Sequence, residues 1–594
     1  MQKSRDIMKK QQSKEKSVFK PASYLKKYSW FVLFGPLCKA IEALSEVFGP
    51  YFMALIVDVG IPTNDKDYII KMSIIILAIN IIGMIFAILG QKCAAITSEG
   101  IGRDIRNDIF KHVNTFSHSE LDKYNTTTIL NRTMNDVYNI QEGTSQILRN
   151  VMRIPFLLIG SLVMAIAIDL KLSLIFLVVS PILLLIVALI MKKLQPLLTE
   201  GKKRLDKTTQ ITRENLSGVR VVRAFNKQNY EIDKFTQANT SMLQNDLKLG
   251  YLGAIMQPLI YLVVNFAIIA VIYIGGIQIN VGNVSQGNLL AFINYFAQIS
   301  AALIAFARII TILTRMKIAK NRVNDLMITE NSITSPENPV KIDKTSPENG
   351  SVEFKDVSFS YSYLKDVVKN LSLKVNPGEI IGVIGGTGSG KSSIVNLIPR
   401  FYDATKGQVF VNGQNVKKYN VEELRSIIGI VPQNPILFSG TIRDNLCWRK
   451  EDATDDELIK VLKIAQAYDF VKEYPDFLDH PVNRGGTNFS GGQKQRLTIA
   501  RALVGNPSIV ILDDSTSALD FSTDSKLRKA IKTMLSCTTF IVSQRTNSLK
   551  DADKIIVIDA GNIVDIGTHT ELLERCELYR EIHESQNKKE VKNG

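Results

Sequence analysis

The stretch from Leu249 to Ala307 contains no charged residue, and this feature constrains the fold of the chain more than any other. It is too long for one membrane helix, because a bilayer core about 30 Å thick needs only about 20 apolar helical residues. A polar, glycine-bearing segment, INVGNVSQGN at 279–288, interrupts the stretch. The stretch therefore predicts a helical hairpin that crosses a membrane twice.

Four further apolar runs predict four more spans, which makes six in all. In chain order these runs are 30–57, 72–90, 154–168 and 172–191. The first carries Lys39, Glu42 and Glu46, which share one helix face and must turn it towards protein or a water-filled cavity. The third reaches full length only by extending upstream, with the Arg153 side chain snorkelling to the interface.

The links between these spans alternate in length. Short links lie near 58–70, 169–171 and 279–288, and long, polar, helix-prone links lie near 91–153 and 192–248. A basic, polar segment precedes the first span and predicts a cytoplasmic N-terminus. It lacks the apolar core and cleavage site of a secretory signal. We therefore expect a multi-pass protein of the cell membrane, with long cytoplasmic links whose helices run beyond the bilayer.

The formal net charge of +15 is open to two interpretations: nucleic-acid binding, or basic flanks on membrane spans. Basic residues such as Lys192 and Lys193 directly follow an apolar run, so the second is preferred and no nucleic-acid partner is expected. The five cysteines show no paired spacing, which argues against a disulfide framework or a zinc site and fits a reducing cytoplasmic face.

From Ser351 onward, short β-branched runs alternate with helical segments, which indicates an α/β domain. Two such runs are IIGVIG (Ile380–Gly385) and IVILDD (Ile509–Asp514). The stretch 328–350 contains TSPEN twice and has the composition of a linker. The predicted parts are a basic segment 1–28, a six-helix transmembrane domain 29–327, the linker 328–350, the α/β domain 351–587 and a polar tail 588–594.

The segment GGTGSGKSS follows the first of these strands directly and matches the phosphate-binding pattern G-x-x-x-x-G-K-[ST]. Its glycines let backbone N–H groups surround phosphate oxygens, Lys391 neutralises phosphate charge, and the Ser392 hydroxyl can ligate Mg²⁺. The next helix points its positive end at the phosphates. ATP and Mg²⁺ are the predicted ligands, held by Gly385, Gly386, Thr387, Gly388, Ser389, Gly390, Lys391, Ser392 and Ser393.

Asp513 ends a run of four aliphatic residues, where a carboxylate needs a partner such as a metal ion. In a hydrolytic site the next acid, Asp514, would orient the attacking water. The segment NFSGGQKQ opens a second helix N-terminus suited to phosphate. One nucleotide has little use for two such ends on one chain, so two chains facing head to tail are predicted. The residues that would cap the partner's ATP are Ser490, Gly491, Gly492 and Gln493.

Together these motifs resemble those of ABC exporter half-transporters over nearly the whole length. The resemblance implies an α-helical six-span transmembrane domain fused to an α/β P-loop nucleotide-binding domain. It implies that Gln433 in VPQNPILFSG senses Mg²⁺, that Tyr361 in FSY stacks on adenine, and that Ser517–Asp520 forms the D-loop, with Asp520 at the nucleotide site. FSHSELDKYNTTTILNRTMNDV and RENLSGVRVVRAF resemble the two cytoplasmic loops that bear coupling helices in this family. Asn483 replaces the usual Glu before the signature.

Two further departures from the family pattern fall in the ATP site, where Gln433, Asp514 and Gln544 are the residues assigned to catalysis. The family's Glu after Asp513 is Asp514 here, one methylene shorter. The family's switch histidine corresponds to Gln544, which donates hydrogen bonds but carries no charge. A carboxylate displaced by about 1 Å can cost on the order of 10²-fold in rate.

This combination resembles the degenerate member of bacterial heterodimeric multidrug exporters. It implies a slow ATP site on this chain and a second ABC half-transporter chain as partner. A homodimer with two slow sites is the alternative. ATP-driven export of amphipathic, drug-like small molecules is the expected function; the alternatives are export of a peptide or lipid, and a transport-inactive regulatory ATP-binding subunit.

Polar groups inside apolar helices are the candidates for a substrate cavity. Two carboxylates on one helix face could attract cationic drugs. For the amides, helix–helix hydrogen bonding is an equally good explanation. The candidates are Glu42, Glu46, Gln257, Asn265, Asn294 and Gln298.

Overall fold

The structure is a computed structural model that describes residues 21–361, 366–515, 519–534 and 536–590. The described residues form two compact units, one made of residues up to Asn114 together with Thr126–Thr329, the other of Thr115–Asn125 together with residues from Glu330 onward. Most of the predicted basic segment 1–28 lies outside the described residues, as do Ser517 and the last four residues of the predicted tail. The domain boundaries drawn from the sequence remain predictions.

Long helices build the first unit, and six helical stretches are long and apolar enough to cross a membrane, as predicted. The third stretch is continuous from His118 to Ile168, although the backbone leaves the helical region at Asn125. The helices are α1 (Pro21–Leu25), α2 (Ser29–Leu55), α3 (Lys66–Asn114), α4 (His118–Asn131), α5 (Val137–Gln146), α6 (Met152–Ile168), α7 (Leu170–Ser217), α8 (Val219–Ala224), α9 (Gln228–Asn280) and α10 (Gln286–Met327).

Several of these helices extend well past a bilayer. Helix α3 has 49 residues and α9 has 53, so at 1.5 Å per residue each is roughly 70–80 Å long, against about 30 Å for the hydrocarbon core. A helix satisfies its backbone hydrogen bonds internally, which is why it can cross lipid and continue into water. The long cytoplasmic links are therefore helical, as the sequence predicted.

The predicted hairpin at the end of the first unit is confirmed. Helix α9 ends at Asn280 and α10 begins at Gln286. The Ser285 hydroxyl accepts the Asn288 N–H at 3.2 Å and so caps α10. Asp58, which follows α2, accepts the Gly287 N–H at 2.7 Å and places a negative charge at the positive end of α10.

The charged face of α2 turns towards protein. Lys39 Nζ lies 2.6 Å from Glu42 Oε2, while the Arg153 guanidinium of α6 contacts Glu42 at 3.3 Å and also pairs with Glu46. Two carboxylates on α2 thus give the Arg153 charge partners within the unit, and its expected snorkelling to the interface remains a prediction. Two acids and two bases share this ionic cluster, so its formal charge sums to zero.

The second unit contains two main sheets and a short strand pair. The strands are β1 (Val352–Phe359), β2 (Val368–Val375), β3 (Ile380–Gly385), β4 (Lys406–Val411), β5 (Gln414–Asn415), β6 (Ile428–Val431), β7 (Gly440–Thr441), β8 (Pro481–Val482), β9 (Ile509–Asp513), β10 (Thr538–Val542), β11 (Lys554–Asp559) and β12 (Asn562–Gly567). The predicted strand 380–385 is confirmed, and the strand predicted at 509–514 ends one residue earlier.

One sheet is antiparallel with the order β2-β1-β4-β5, and the other has the order β12-β11-β3-β10-β9-β6. Strands β11, β3, β10, β9 and β6 of the second sheet run parallel, and β12 is antiparallel. The helices of this unit are α11 (Lys391–Leu397), α12 (Val421–Ser426), α13 (Ile442–Leu446), α14 (Asp455–Ile464), α15 (Tyr468–Lys472), α16 (Gly491–Leu503), α17 (Phe521–Met534), α18 (His569–Arg575) and α19 (Glu577–Glu590).

The central parallel strands are buried on both faces, as strands between layers of helices must be. Along β10, Phe540 and Val542 pack into one apolar cluster, while Ile541 between them packs into another. This alternation is the period-2 pattern of a strand. The sheet therefore forms a stiff plane from which the loops at its carboxyl edge project.

We expect Phe540→Ala to lower the stability of the second unit strongly, since the side chain is fully buried in β10. Removing a buried aromatic ring typically costs about 3–5 kcal/mol of unfolding free energy. Thermal denaturation of the full chain in detergent measures the effect. Phe521→Ala, at a position that is 55% exposed, is the matched control. Equal shifts for the two variants would contradict the placement of the core.

Candidate ATP site

Four parallel strands bring the predicted site residues to one edge of the six-stranded sheet. Strand β3 ends at Gly385, β10 at Val542, β9 at Asp513 and β6 at Val431, and these strands are neighbours in that order. The carboxyl edge of an open parallel sheet is where such folds bind ligands. The phosphate-binding loop, the Gln544 segment, the two acids and the Gln433 segment therefore lie side by side.

The loop after β3 forms a cradle that side chains would fill. A Cβ on Gly385 would lie 2.1 Å from the Ile558 carbonyl oxygen, so only glycine fits there. A Cβ on Gly386 or Gly388 would meet nothing within 4 Å, so these residues face open space. Within the described part of the chain, the buried Ser389 hydroxyl has no hydrogen-bond partner. Open backbone and a spare donor fit the phosphates of a nucleotide.

The base of the cradle carries the charged and metal-ligating groups. Lys391 Nζ donates to the carbonyls of Gly385 at 3.0 Å and Gly386 at 2.7 Å. Ser392 Oγ donates to Asp513 Oδ1 at 2.9 Å. Burial lowers the pKa of Lys391, an effect that Asp514 and Asp513 oppose. A hydroxyl and a carboxylate in contact supply hard oxygen ligands of the kind that Mg²⁺ prefers.

Asp514 follows β9 in a left-handed backbone conformation, with φ of 46°. Its N–H donates to the Val542 carbonyl at 3.0 Å, and its carboxylate accepts from Gln433 Nε2 at 3.3 Å. Burial raises the pKa of Asp514, while Gln433, Lys391 and Arg545 lower it. Burial also raises the pKa of Asp513. Two partly desolvated acids side by side fit a site that receives a cation.

Gln544 follows β10, between the strand that leads to the phosphate loop and the strand that carries the acids. The Ser543 N–H donates to the Val383 carbonyl at 3.1 Å, which fixes the start of this segment on β3. The Gln544 side chain is exposed. The structure thus places Gln544 at the predicted edge, and its contact with nucleotide remains a prediction.

Tyr361 follows β1, and its side chain reaches the first turn of α11. Its hydroxyl is 3.0 Å from Ser393 Oγ, and its ring packs edge-on against Phe359 and Tyr402. The residue is 51% exposed. Its contact with adenine remains a prediction.

The signature segment caps its own helix. The Ser490 hydroxyl accepts the Gln493 N–H at 3.3 Å, and Gln493 Oε1 accepts the Ser490 N–H at 2.9 Å. A Cβ on Gly491 would meet nothing within 4 Å. Over the residues that the structure describes, no hydrogen bond or ion pair joins this helix start to the phosphate loop. The predicted role at a partner's ATP thus stays a prediction.

Asp520, the last residue of the predicted D-loop, directly precedes α17. Its carboxylate accepts the Thr523 N–H at 3.1 Å, and hydrogen bonds from the side chain and then the main chain of Thr523 lower the pKa of Asp520. Within this single chain, Asp520 therefore acts as the N-terminal cap of α17. Its predicted place at the nucleotide is untested.

The loop FSHSELDKYNTTTILNRTMNDV, predicted to bear a coupling helix, contains α4, and its coupling role remains a prediction. The His118 ring stacks on Phe401 with centroids 4.1 Å apart, and the Arg425 guanidinium carbon lies 5.1 Å from the centroid of the Phe401 ring. Asp122 accepts a hydrogen bond of 2.6 Å from the Tyr402 hydroxyl. These partners lie far apart in sequence, and no local pattern signals the pairing.

The candidate cavity residues have mixed surroundings. Gln298 accepts from Ser161 Oγ at 2.9 Å and donates to the Glu46 carbonyl at 3.1 Å, so it joins three helices. Asn294 donates within its own helix, and Gln257 and Asn265 are exposed. These contacts favour a packing role for Gln298, while substrate contact by any of the six residues remains a prediction.

Comparison with known proteins identifies the family. Residues 32–303 match the ABC transporter transmembrane region, and residues 368–517 match the ABC transporter domain. The chain is 34% identical to an uncharacterized ABC transporter ATP-binding protein, YfiB of Bacillus subtilis (strain 168), over 96% of the chain and 98% of the relative. It is 32% identical over 84% of its length to YgaD of the same organism, covering 86% of that protein, whose name describes it provisionally as a multidrug export ATP-binding/permease protein.

Among solved structures, a bacterial Atm1-family ABC exporter with ATP bound has a similar fold. The TM-score is 0.75 at 22% identity, over 94% of this chain and 97% of the other. The chain belongs to the ABC transporter family. It is a multi-pass membrane protein with a cytoplasmic nucleotide-binding domain and is an ABC-type ATPase. Transporters with this architecture work as dimers in the membrane.

We expect the packing of His118 on Phe401 to weaken in acid. Burial, and secondarily Arg425, lower the pKa of His118, and Asp122 opposes this only in part. A released segment would titrate near about 6.5, so as the pH falls below that value the released form takes up a proton that the packed form resists. The packing is therefore stable at neutral pH and is weakened below it.

Amide hydrogen exchange of residues 118–125, corrected for the intrinsic rate, checks this expectation between about pH 7 and about pH 5.5. Protection should fall with acid in the natural chain and should be pH-independent in His118→Phe. Protection that falls equally in both would show that another group titrates.

Proposed function

We propose that this chain is the half of a heterodimeric ABC exporter whose own ATP site is degenerate, and that the dimer exports amphipathic, drug-like small molecules. The observation that carries the proposal is the position of Asp514 and Gln544. They follow neighbouring strands, β9 and β10, and the Asp514 N–H is bonded to the Val542 carbonyl, two residues before Gln544. Both departures from the family pattern therefore act on one site.

Asp514 has little freedom to make up for its missing methylene. Its main chain is bonded to β10, and its carboxylate accepts from Gln433. Phosphoryl transfer depends on positioning and charge stabilisation, and a shift of about 1 Å can cost on the order of 10²-fold. Gln544 adds an uncharged donor where a histidine could carry charge. Such a site binds ATP and hydrolyses it slowly.

The groups that would bind ATP are present in the site. The phosphate cradle is open, Lys391 is beside it, and Ser392 and Asp513 are in contact, with Gln433 near the second acid. We assign the Mg²⁺ ligands to Ser392, Asp513 and Gln433. When bound, Mg²⁺ would neutralise phosphate charge. The helix start at Ser490 is well formed and is assigned to the partner's ATP.

Closure of two nucleotide-binding domains would reach the membrane through the contact of His118 and Asp122 with Phe401 and Tyr402. That segment continues along the chain into α3 on one side and α5 on the other. A movement of the α/β unit is thereby transmitted into helices that extend from the membrane. This route supports a transporter over a regulatory subunit.

The cargo is inferred from two observations. YgaD, which is named for multidrug export, is a relative over most of the chain. The ionic cluster of Lys39, Glu42, Glu46 and Arg153 sums to no formal charge, although the Glu46 side chain is 41% exposed. A largely neutral interior with one accessible acid suits amphipathic molecules that carry at most a modest positive charge.

We expect the purified chain alone to turn over ATP slowly, and Asp514→Glu combined with Gln544→His to raise its rate by roughly tenfold or more. The longer carboxylate and the ionisable ring restore the positioning and charge that the site lacks. Steady-state phosphate release from the full chain in nanodiscs measures this. Asp456→Glu, an exposed position on α14, is the control for the same chemical change. Rapid hydrolysis by the unaltered chain alone would overturn the proposal.

Measurement of dye efflux distinguishes an exporter from a transport-inactive regulatory subunit. Vesicles carrying this chain and its partner chain should expel a cationic amphipathic dye when ATP is present, and the partner's own catalytic Glu→Gln variant should stop efflux. ATP-dependent efflux of a peptide or a labelled lipid, without the dye, would change the cargo. Efflux of none of them would favour the regulatory alternative.

A further inference from the structure

The last helix of the chain is bonded to the segment that carries Gln544. Gln586 on α19 donates from Nε2 to the Gln544 carbonyl at 2.7 Å, and its Oε1 accepts the Thr546 N–H at 3.0 Å. The carboxamide of Gln586 is thus hydrogen-bonded to the main chain of Gln544 and of Thr546, the two neighbours of Arg545. Thr546 begins a 3₁₀ turn, Thr546–Leu549, whose first N–H has no acceptor within the turn. Gln586 supplies that acceptor.

A second bond reinforces this arrangement. The buried Thr546 hydroxyl lies 3.1 Å from Gln586 Oε1 and 2.9 Å from His583 Nδ1. A hydroxyl has one hydrogen to donate, so if it donates to Gln586, the His583 Nδ1–H donates to it. The resulting chain of hydrogen bonds from His583 through the buried Thr546 to Gln586 is partly buried. We call Gln586 and His583 the C-terminal clamp.

The helix that carries the clamp is itself fixed to the α/β unit. Tyr579, near the start of α19, is fully buried, and its hydroxyl lies 2.7 Å from His569 Nδ1 of α18. The clamp therefore extends from an anchored helix. By contrast, within the described residues no hydrogen bond holds the Gln544 side chain. The position of that side chain therefore depends on the position of the main chain at Gln544.

We propose that Gln586 and His583 are positioning residues for the ATP site: they hold the main chain at Gln544 and Thr546 so that the Gln544 amide reaches the γ-phosphate. This inference rests on the proposed role of Gln544. Releasing the clamp removes the side-chain bonds to the Gln544 carbonyl and the Thr546 N–H beside the site. Because a shift of about 1 Å weakens a contact of this kind severely, the γ-phosphate contact is lost while the rest of the nucleotide stays bound.

The test compares two nucleotides that differ at the γ-phosphate. Affinities of the full chain in nanodiscs are measured for AMP-PNP, a non-hydrolysable ATP analogue, and for ADP, both with Mg²⁺. We expect Gln544→Ala to weaken AMP-PNP roughly tenfold and Gln586→Ala to weaken it roughly threefold to tenfold, with ADP changed less than about twofold. Gln586→Glu keeps the acceptor for Thr546 and loses the donor to Gln544, so it should fall between Gln586→Ala and the natural chain.

The control is Ser585→Ala, on the same helix, where the hydroxyl donates only to the Ile582 carbonyl at 2.9 Å. It should leave both affinities unchanged. The double variant Gln544→Ala with Gln586→Ala should match Gln544→Ala alone, since the clamp acts through Gln544. Amide exchange at Thr546 should be faster in Gln586→Ala, which confirms that the bond is lost.

The outcomes distinguish the proposed role of Gln544 from the positioning role of the C-terminal clamp. If Gln544→Ala leaves AMP-PNP binding unchanged, the proposed role of Gln544 fails and the clamp has nothing to position. If Gln544→Ala weakens binding and Gln586→Ala does not, although Thr546 exchanges faster, only the positioning role fails. Equal loss of AMP-PNP and ADP affinity in Gln586→Ala, or additive effects in the double variant, would also overturn it.

Discussion

The pairing of β10 between β3 and β9 is the constraint on which the ATP site depends. Val542 is the register partner of both Val383 and Asp513, so the ends of these three strands are level with one another. The phosphate loop, the Gln544 segment and the two acids come from distant parts of the chain and meet only because of this register. A slip of one residue in β10 would turn its buried side chains to the opposite face, so the packing of the sheet holds the site together.

The same register brings the two unusual residues to neighbouring strand ends. Asp514 is tied to β10 through its N–H, and Gln544 leaves β10 two residues after the carbonyl that accepts this bond. If both residues act in hydrolysis as proposed, a short carboxylate and an uncharged amide at adjacent strand ends would change the positioning and the charge of one reaction centre. The phosphate cradle and the helix start at Ser490 keep their form. In the proposed function, the chain therefore combines a surface that binds ATP with weak hydrolytic chemistry in one pocket.

Much of the fold could be predicted from the sequence, because its strongest signals are local. Long apolar runs predicted the six spans, a polar segment within the uncharged stretch predicted the turn between α9 and α10, and the β-branched run before the phosphate loop predicted β3. The contacts of single polar side chains could not be predicted. Arg153 pairs with Glu42 across two helices, and His118 stacks on Phe401 from far along the chain. Gln586 sits on a polar terminal helix with nothing nearby in sequence to mark its contact with Gln544.

The central claim is that this pocket holds ATP without cleaving it promptly, and the state of the bound nucleotide tests it most directly. The full chain is purified alone, loaded with radiolabelled ATP and Mg²⁺, freed of unbound nucleotide, and quenched at intervals, and the ratio of bound ATP to bound ADP is measured. We predict that the nucleotide remains mostly ATP over many minutes. Conversion of most of the bound ATP to ADP within seconds would contradict the account.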